Sequence, residues 1–356
     1  MSYEAESNDG LSQLEADKLN TQTVGPSPVV IRDVGNSRTP LWVLIGVSVG
    51  FLLPVCACGI LFLSLSLVGG ASGSLLDTPV DGGTGPAVAV VRVEGAIIGT
   101  DDTNYLAGAG SGTINAELAR AEADEDVKAI VLRVDSPGGT VTGSAQIHEY
   151  LRDEVSKPVV VSMANVAASG GYYISTAADY IMARRETTTG SLGVILTLYD
   201  VNEFLDEWGV DVISVTSGPN KSIGNPWENL TSEQEEILQS YVNDSYDQFV
   251  GVIVEGRELD ESLVREIADG RIYNGNRALE IGLIDEIGNF EQAKAKAAEL
   301  GGIAGDPRII EYERTPDYTD LLTTIGGRAN LTEAEEMLRS LEEIMVPELE
   351  YRYYGR

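Results

Sequence analysis

The chain has 356 residues, with 56 acidic and 24 basic side chains and a formal net charge of −32. This charge excludes a general nucleic-acid-binding protein, which needs a basic face, and it disfavours polyanionic substrates for the same reason. The hydrophobic fraction of 43% is still typical of a folded protein rather than a disordered one.

The acidity is spread along the chain and is not confined to a tail. Residues 87–356 contain 48 acidic and 21 basic residues, a net charge of −27. Only six of the basic residues in the chain are lysines. An acidic, lysine-poor composition indicates a halophilic protein, whose self-repulsion is screened by salt, although an ordinary acidic protein remains the alternative.

The N-terminal region contains a predicted membrane anchor. Residues 1–40 are polar and predict a flexible tail, whereas the 28 residues from 41 to 68 include no charged side chain. A helix of that length extends about 42 Å, which is enough to cross the ~30 Å hydrocarbon core of a bilayer. The pattern therefore predicts a single transmembrane helix over 41–68.

The charges around this span predict its orientation. Arg32 and Arg38 precede it, and Asp77 and Asp81 follow it. By the positive-inside rule, the N-terminus is expected in the cytoplasm and the body of the chain on the extracytoplasmic side of the cell membrane. Residues 69–86 are rich in Gly, Ser and Pro and predict a linker that tethers the body near the membrane.

Strands and helices alternate from residue 87 onwards, which predicts an α/β domain with a largely parallel sheet. Runs rich in β-branched residues predict strands over Ala87–Val93, Ala129–Val134, Pro158–Met163 and Val210–Val215. Helical spacing of apolar residues predicts helices over Thr113–Glu125, Thr142–Val155, Ser169–Ala178 and Thr231–Glu255.

Cysteine and histidine are too rare for several kinds of site. Cys56 and Cys58 are the only cysteines and lie in the apolar run, and His148 is the only histidine. Disulfide frameworks and cysteine-rich or multi-histidine metal sites are therefore excluded from the body, and no cofactor is expected. The neighbours of His148 do not suit a catalytic base, so we interpret it as a surface or capping residue.

Two glycine-rich turns follow predicted strands, DSPGGT at 135–140 and NVAASGGYY at 165–173. A serine at a strand-to-helix turn, such as Ser169, presents its hydroxyl at the sheet edge, where the helix N-terminus favours the charge of an oxyanion. Such turns are also common in α/β proteins without catalytic function. Each turn, taken alone, is therefore compatible either with catalysis or with a purely structural role.

An attacking serine needs a base, and a lysine that burial keeps neutral can replace histidine. Lys221 is a candidate because it lies among small and apolar residues, in SGPNKSIGNPW at 217–227. A solvated loop charge is the alternative interpretation. Ser191 lies in a third small-residue turn, where a serine can hold a lysine amine by a hydrogen bond. The alternative is a tight turn that leads into a strand.

Five motifs occur together in a fixed order: AIVLRVDSPGGTV (129–141), VSMANVAASGGYYISTAADYIMA (161–183), TGSLGVI (189–195), SGPNKSIGNPWENLTSEQ (217–234) and GRIYNGNRALEIGLIDEIGN (270–289). In order and spacing they resemble the signal peptide peptidase A family, membrane-anchored Ser-Lys proteases of the protease IV type. The resemblance implies a peptidase domain over about residues 87–300. The implied fold is of the Clp-protease/crotonase-like superfamily, built from stacked ββα units, after a single N-terminal transmembrane helix.

The resemblance also implies roles for individual residues. Ser169 corresponds to the nucleophile, Lys221 to the general base and Ser191 to the residue that orients the lysine. Gly139 and Gly170 correspond to the N–H donors of the oxyanion hole. No metal or cofactor is implied.

The implied function is a membrane-tethered serine endopeptidase that cleaves signal peptides or other hydrophobic peptides after their release from the membrane. Family members with a single catalytic unit form homo-oligomeric rings, in which neighbouring protomers supply the serine and the lysine of one site. Three alternatives remain open: a related membrane protease that acts on stomatin-like proteins, a crotonase-like acyl-CoA enzyme, and a non-catalytic membrane scaffold.

Residues 301–356 are predicted to form a C-terminal extension. Apolar residues at helical spacing predict an amphipathic helix over Leu331–Met345. The last residues, 351–356, are rich in tyrosine and are expected to be mobile. The alternative is that this tail enters a substrate groove and inhibits the enzyme.

Overall fold

The computed structural model describes residues 85–99, 108–312 and 349–355. The predicted anchor over 41–68 and the predicted helix over 331–345 lie outside these residues. Within the described ranges, no helix combines the length and the apolar character that a membrane crossing requires.

The described residues form short and long strands that are numbered here in chain order: β1 (Ala87–Glu94), β2 (Ile97–Ile98), β3 (Ala109–Gly110), β4 (Val127–Ser136), β5 (Gly138–Thr140), β6 (Val159–Ala168), β7 (Tyr180–Ala183), β8 (Thr188–Gly190), β9 (Ile195–Leu196), β10 (Ile272–Asn274), β11 (Glu286–Ile287), β12 (Arg308–Glu311) and β13 (Leu349–Arg352). The helices are α1 (Ser111–Ala123), α2 (Val141–Asp153), α3 (Gly170–Ser175), α4 (Asn202–Glu207), α5 (Ser232–Arg257), α6 (Glu261–Ile267), α7 (Gly275–Glu280) and α8 (Phe290–Leu300).

The larger of two sheets has the order β10-β8-β6-β4-β1-β12, with β7 paired to β6 and β11 paired to β7. Every neighbouring pair in it is parallel except β10 and β8. The first half of β6 pairs with β7 and its second half with β8. The carboxyl ends of β6 and β8 therefore lie side by side.

Helices cover both faces of this sheet, which is why its central strands are apolar without interruption. Val88 and Val90 of β1 pack in one cluster with Ala293 of α8. Ala89 and Val91 belong to the opposite cluster, to which α1, α2, α3 and α5 contribute. The α/β architecture and the central strands predicted from the sequence are confirmed, with ends shifted by a few residues.

The predicted strand over Val210–Val215 is wrong. These residues have no regular secondary structure, and the side chains of Ile213 and Val215 are 85% and 95% exposed. β-branched residues favour a strand mainly by packing against neighbours on a sheet, and here no strand lies beside them. The apolar pattern in this segment reflects an exposed surface rather than a core.

A second, smaller sheet has the order β3-β2-β5-β13-β9. Its central strand β5 belongs to the glycine-rich turn at 135–140, directly after β4. β13 comes from the C-terminal tail and is antiparallel to both of its neighbours. This small sheet therefore joins the end of the chain to the sheet edge that carries Ser169.

A largely buried ion pair fixes the end of the long helix α5. The guanidinium of Arg257 donates to both carboxylate oxygens of Asp285, at 2.7 and 3.1 Å, and to the carbonyl oxygen of Gly282 at 3.0 Å. Asp285 also accepts a hydrogen bond from the N–H of Ile181 in β7, at 2.7 Å. The pair thus connects α5 to the large sheet.

Replacing Asp285 with asparagine is expected to lower the free energy of unfolding by about 3 kcal/mol, because the guanidinium of Arg257 then stays buried without a counter-charge. Urea unfolding followed by circular dichroism measures this loss. Glu280→Gln, which removes the exposed ion pair with Arg277, is the control and should cost less than about 1 kcal/mol. Equal losses in the two variants would contradict the prediction.

Candidate active site

Ser169 and Ser191 follow the carboxyl ends of two neighbouring parallel strands. Ala168 of β6 is paired with Gly190 of β8, and on each strand the next residue is one of the serines. The N–H of Ser169 donates to the carbonyl oxygen of Gly190 at 2.7 Å. The sheet therefore brings the predicted nucleophile close to the residue predicted to orient the base.

Both serines have a backbone conformation that L-residues rarely adopt. Ser169 has φ 54° and ψ −117°, and Ser191 has φ 50°. Among the described non-glycine residues, only Glu258 also has a positive φ. Such strain costs about 1–3 kcal/mol and is concentrated at functional sites. Ser169 occupies the N-cap of α3, but its hydroxyl makes no capping hydrogen bond.

β5 and the start of α3 approach each other backbone to backbone. Gly138 has φ +91°, and a Cβ on it would lie 2.5 Å from the amide nitrogen of Gly170. Gly139 is equally crowded, because a Cβ there would collide with the backbone of Ile97 in β2. The segments that carry the predicted oxyanion donors, Gly139 and Gly170, are therefore in contact. Our sequence reasoning missed Gly138, although the doubled glycine in the turn was the signal.

The structure does not bring Lys221 to the two serines. Lys221 is exposed, in an irregular segment before α5, and no hydrogen bond among the described residues joins it to Ser169 or Ser191. The segment is held to the start of α5, where the side chain of Gln234 donates to the carbonyl oxygen of Pro219 at 3.0 Å. A single copy of the chain therefore does not assemble the predicted Ser-Lys pair.

The region that carries Lys221, here called the arm and comprising residues 195–230, exposes large apolar side chains. Phe204, Trp208, Ile213 and Val215 are between 59% and 95% exposed. Scattered apolar residues are normal on a protein surface, but a run of such large ones indicates a surface that contacts another protein.

A cavity of about 390 Å³ opens beside Ser191, with Tyr246, Asp269 and Arg352 among the residues that line it. It is large enough to admit an extended side chain from outside. Among the described residues, no group of three or more His, Cys, Asp or Glu side chains is arranged to hold a metal ion.

The C-terminal tail lies at the site. β13 runs between β5 and β9, and Tyr351 is fully buried. The expectation that residues 351–356 are mobile is therefore wrong for Tyr351, because it is paired with Gly139 and belongs to a strand whose first residues also pair with β9. The alternation of apolar and charged residues in L-E-Y-R, at 349–352, was the signal for a strand. Ser169 is only 1% exposed in this arrangement.

His148 is buried, and its interpretation as a surface or capping residue is wrong. It lies in the middle of α2, is 4% exposed, and its ring packs edge-on against Tyr173 with the centroids 5.2 Å apart. Burial, assisted by the positive charge of Arg152, lowers the pKa of His148 to about 4. The imidazole is therefore neutral at pH 7 and acts as a packing group.

Comparison with known proteins identifies the family. The model of peptidase family S49 matches residues 152–304, and that of Clp proteases matches residues 106–189. A putative protease of Synechocystis is 39% identical over 250 residues, which cover 69% of this chain and 90% of the relative. The chain belongs to peptidase family S49. It is thus a serine peptidase with a mixed α/β, Clp-protease-like fold.

Other relatives of this S49 peptidase carry more specific names. The putative signal peptide peptidase SppA of Enterococcus faecium is 33% identical over 298 residues, covering 76% of this chain and 84% of the relative. Protease 4 of Haemophilus influenzae is 35% identical over 261 residues, covering 71% of this chain but 42% of the relative. These matches agree with the resemblance to signal peptide peptidase A and leave an acyl-CoA enzyme without support.

The buried imidazole of the S49 peptidase predicts a loss of stability in acid. The unfolded chain takes up a proton at His148 below about pH 6.5, whereas the folded chain does so only below about pH 4. The contribution of this group to stability is therefore complete above pH 6.5 and decreases as the pH falls towards 4. Between pH 7 and pH 5 we expect it to lower the free energy of unfolding by about 2 kcal/mol.

Urea titrations of the wild type and of His148→Phe at the two pH values measure this contribution. The phenylalanine keeps an aromatic edge against Tyr173 but cannot titrate. The wild type should therefore lose about 2 kcal/mol more than the variant between pH 7 and pH 5. The same loss in both proteins would show that His148 is not the group responsible.

Proposed function

We propose that this S49 peptidase is a membrane-tethered endopeptidase in which Ser169 attacks a peptide carbonyl and Lys221, supplied by a neighbouring copy, takes the proton. The observation that carries the proposal is the conformation of Ser169, a strained strand-to-helix turn beside the close contact of Gly138 and Gly170. Backbone strain of this kind persists only where the surrounding structure enforces it, and it is concentrated at functional sites.

The proposed reaction assigns one step to each of these groups. The hydroxyl oxygen of Ser169 forms a bond to the carbonyl carbon while its proton moves to the neutral amine of Lys221. The N–H groups of Gly139 and Gly170 stabilise the oxyanion, and loss of one such donor costs about 10²–10³ in rate. The lysine ammonium then protonates the leaving amine, and water hydrolyses the acyl-enzyme with Lys221 again as the base.

The arm supports the sharing of one site between copies. Lys221 lies in an exposed segment, the arm displays apolar side chains, and the cavity beside Ser191 has room for an extended side chain. If the arm of a neighbouring copy packed its apolar side chains against the face that carries Ser191, it would bring Lys221 to the hydroxyl of Ser191. A closed homo-oligomeric ring would repeat this contact at every copy.

Hydrophobic peptides released from the membrane, such as signal peptides, are the proposed substrates. The predicted helix over 41–68 would hold the peptidase domain close to the bilayer on the extracytoplasmic side, and a relative carries the name signal peptide peptidase. A groove between strand edges binds an extended peptide through its backbone and needs no basic residues. A membrane protease acting on stomatin-like proteins remains the second candidate, because the same tether and site would serve it.

Ser169→Ala and Lys221→Ala are each expected to lower hydrolysis of a fluorogenic hydrophobic peptide by at least about 10³-fold, because each removes a group that makes or breaks a bond. Lys128→Ala, which removes an exposed lysine on β4, is the control and should retain full activity.

Co-expression of the two inactive variants tests whether neighbouring copies share a site. Random mixing pairs an intact serine with an intact lysine in about a quarter of the sites, so about a quarter of the wild-type activity should return. No recovery in mixed oligomers, verified by a different affinity tag on each variant, would place both residues of a site in one chain.

Salt is expected to raise activity. The net charge of −27 on residues 87–356 opposes contact between copies. Ions shorten the range of this repulsion, from ~10 Å at 0.1 M to ~3 Å at 1 M. The value of kcat/KM, measured from about 0.1 to 2 M NaCl and again in KCl, should increase together with the oligomer fraction. A flat profile in both salts would leave the acidity as a solubility feature alone.

A further inference from the structure

Ser144, in the first turn of α2, is fully buried, and its hydroxyl has no hydrogen-bond partner among the described residues. A serine inside a helix commonly donates to the carbonyl oxygen four residues earlier. Ser175 in α3 makes this bond to Gly171 at 2.7 Å, and Ser245 in α5 makes the equivalent bond at 3.2 Å. The hydroxyl of Ser144 does not. Buried polar groups are nearly always bonded, so this exception requires an explanation.

The hydroxyl of Ser144 lies against Gly170, one of the two proposed oxyanion donors. A Cβ on Gly170 would collide with this hydroxyl oxygen and would lie 3.1 Å from the Cα of Gly138. The carbonyl oxygen of Tyr351 is also 3.1 Å from that point, so a peptide carbonyl fits into the space beside these groups. The hydroxyl therefore borders the place where the oxyanion is expected to form.

Backbone contacts fix the first turn of α2 in this position. The side-chain oxygen of Thr140 accepts hydrogen bonds from the N–H of Gly143, in the same turn, and from the N–H of Gly99, just after β2, both at 3.0 Å. A Cβ on Gly143 would lie 2.6 Å from the amide nitrogen of Gly99, so the two segments are in close contact. Ser144 is thus positioned before a substrate binds, and a donor fixed in advance needs no reorganisation during the reaction.

We propose that the hydroxyl of Ser144 is a third donor to the oxyanion, beside the N–H groups of Gly139 and Gly170. The proposal rests on the function proposed above and adds a catalytic residue to it. The hydroxyl keeps its proton throughout, and no covalent bond forms or breaks at Ser144. The charge that develops on the former carbonyl oxygen supplies this hydroxyl with the partner that the described part of the chain does not provide.

A donor of this kind acts on the transition state more than on the bound substrate. Hydrogen bonds to a charged oxygen are stronger than those to a neutral carbonyl. An interaction that strengthens as the charge develops raises kcat and has little effect on KM. The position of Ser144 in the first turn of α2 adds to this effect, because the positive end of the helix dipole favours the same negative charge.

The first test compares Ser144→Ala with Ser175→Ala, both in the full chain, in hydrolysis of the fluorogenic hydrophobic peptide. Ser144→Ala should lower kcat by about 10- to 100-fold and change KM by less than about threefold, because one of three donors is lost. Ser175 is equally buried, but its hydroxyl is bonded within its own helix, so its substitution should change kcat by less than about threefold. A loss in Ser144→Ala that does not exceed the loss in Ser175→Ala would overturn the proposal.

Urea unfolding of the same two variants separates catalysis from packing. Ser144→Ala removes a hydroxyl that no described group bonds, so the midpoint of unfolding should stay the same or rise. Ser175→Ala breaks a buried hydrogen bond, so its midpoint should fall. A lower midpoint together with a lower kcat in Ser144→Ala would assign the hydroxyl to packing and would contradict the proposal.

A transition-state analogue tests the contact with the oxyanion directly. The aldehyde of the same peptide forms a hemiacetal with Ser169 and places an oxygen in the oxyanion position, whereas the corresponding primary alcohol does not. Ser144→Ala should weaken inhibition by the aldehyde about as much as it lowers kcat/KM, and inhibition by the alcohol by less than about threefold. Equal changes for the two inhibitors would contradict the contact.

These measurements also distinguish the role of Ser144 from the proposed function. If the wild type hydrolyses the peptide and binds the aldehyde, and Ser144→Ala does both equally well, Ser144 alone is removed from the mechanism. If the wild type does neither, and is indistinguishable from Ser169→Ala, the proposed function is contradicted and the role of Ser144 with it.

Discussion

The parallel pairing of Ala168 with Gly190 fixes the positions of the groups around the candidate site. The two strands end at the same level, so the turns that follow place Ser169 and Ser191 side by side. A slip of one residue would turn the side chains of either strand to the other face of the sheet. The two apolar clusters on opposite faces of the large sheet penalise such a slip, because it would expose one cluster and crowd the other. Packing far from the site thus sets its geometry.

The same packing sustains conformations that are unfavourable locally. Ser169 and Ser191 have positive φ, and Gly138 and Gly139 have no room for a side chain. None of these conditions favours folding. They persist because the strands before each turn are buried on both faces and hold the ends of the turns in place. The site is therefore a small strained region supported by a large unstrained sheet.

The parts of the fold that follow from local periodicity were predictable. The sequence alone predicted the buried strands β1, β4 and β6 and the helices α1, α2 and α5, because each has a continuous apolar run or an apolar face. The strand predicted over Val210–Val215 is wrong because a β-branched run has the same sequence pattern whether it packs in a sheet or remains exposed. The environment of His148 depends on α3 lying across α2, a contact that no local pattern contains. The pairing of Tyr351 with β5 joins residues more than 200 positions apart, so only the folded chain shows it.

For the candidate site, the motifs predicted which residues would carry the chemistry, and the structure shows what surrounds each of them. Ser169, Ser191, Gly139 and Gly170 lie at one edge, as the order of the turns along the parallel strands implies. The placement of Lys221 could not be inferred from spacing, because the segment around it has no periodicity to fix its direction. Gly138, the glycine that meets Gly170, differs from Gly139 in its positive φ and in the backbone that it approaches. A sequence pattern does not distinguish two adjacent glycines in this way.

The length of α5 has a mechanical consequence. The side chain of Gln234, in the first turn, donates a hydrogen bond to the arm at Pro219. Phe249, whose ring packs against Tyr173 and Tyr351, lies 15 residues further along the same helix. An unbroken helix of that length is a stiff rod of about 22 Å. A tilt imposed on the arm end would therefore displace Phe249 sideways, relative to Tyr173 and Tyr351. The exposed arm and the buried contacts of the tail strand are thus joined by one continuous helix.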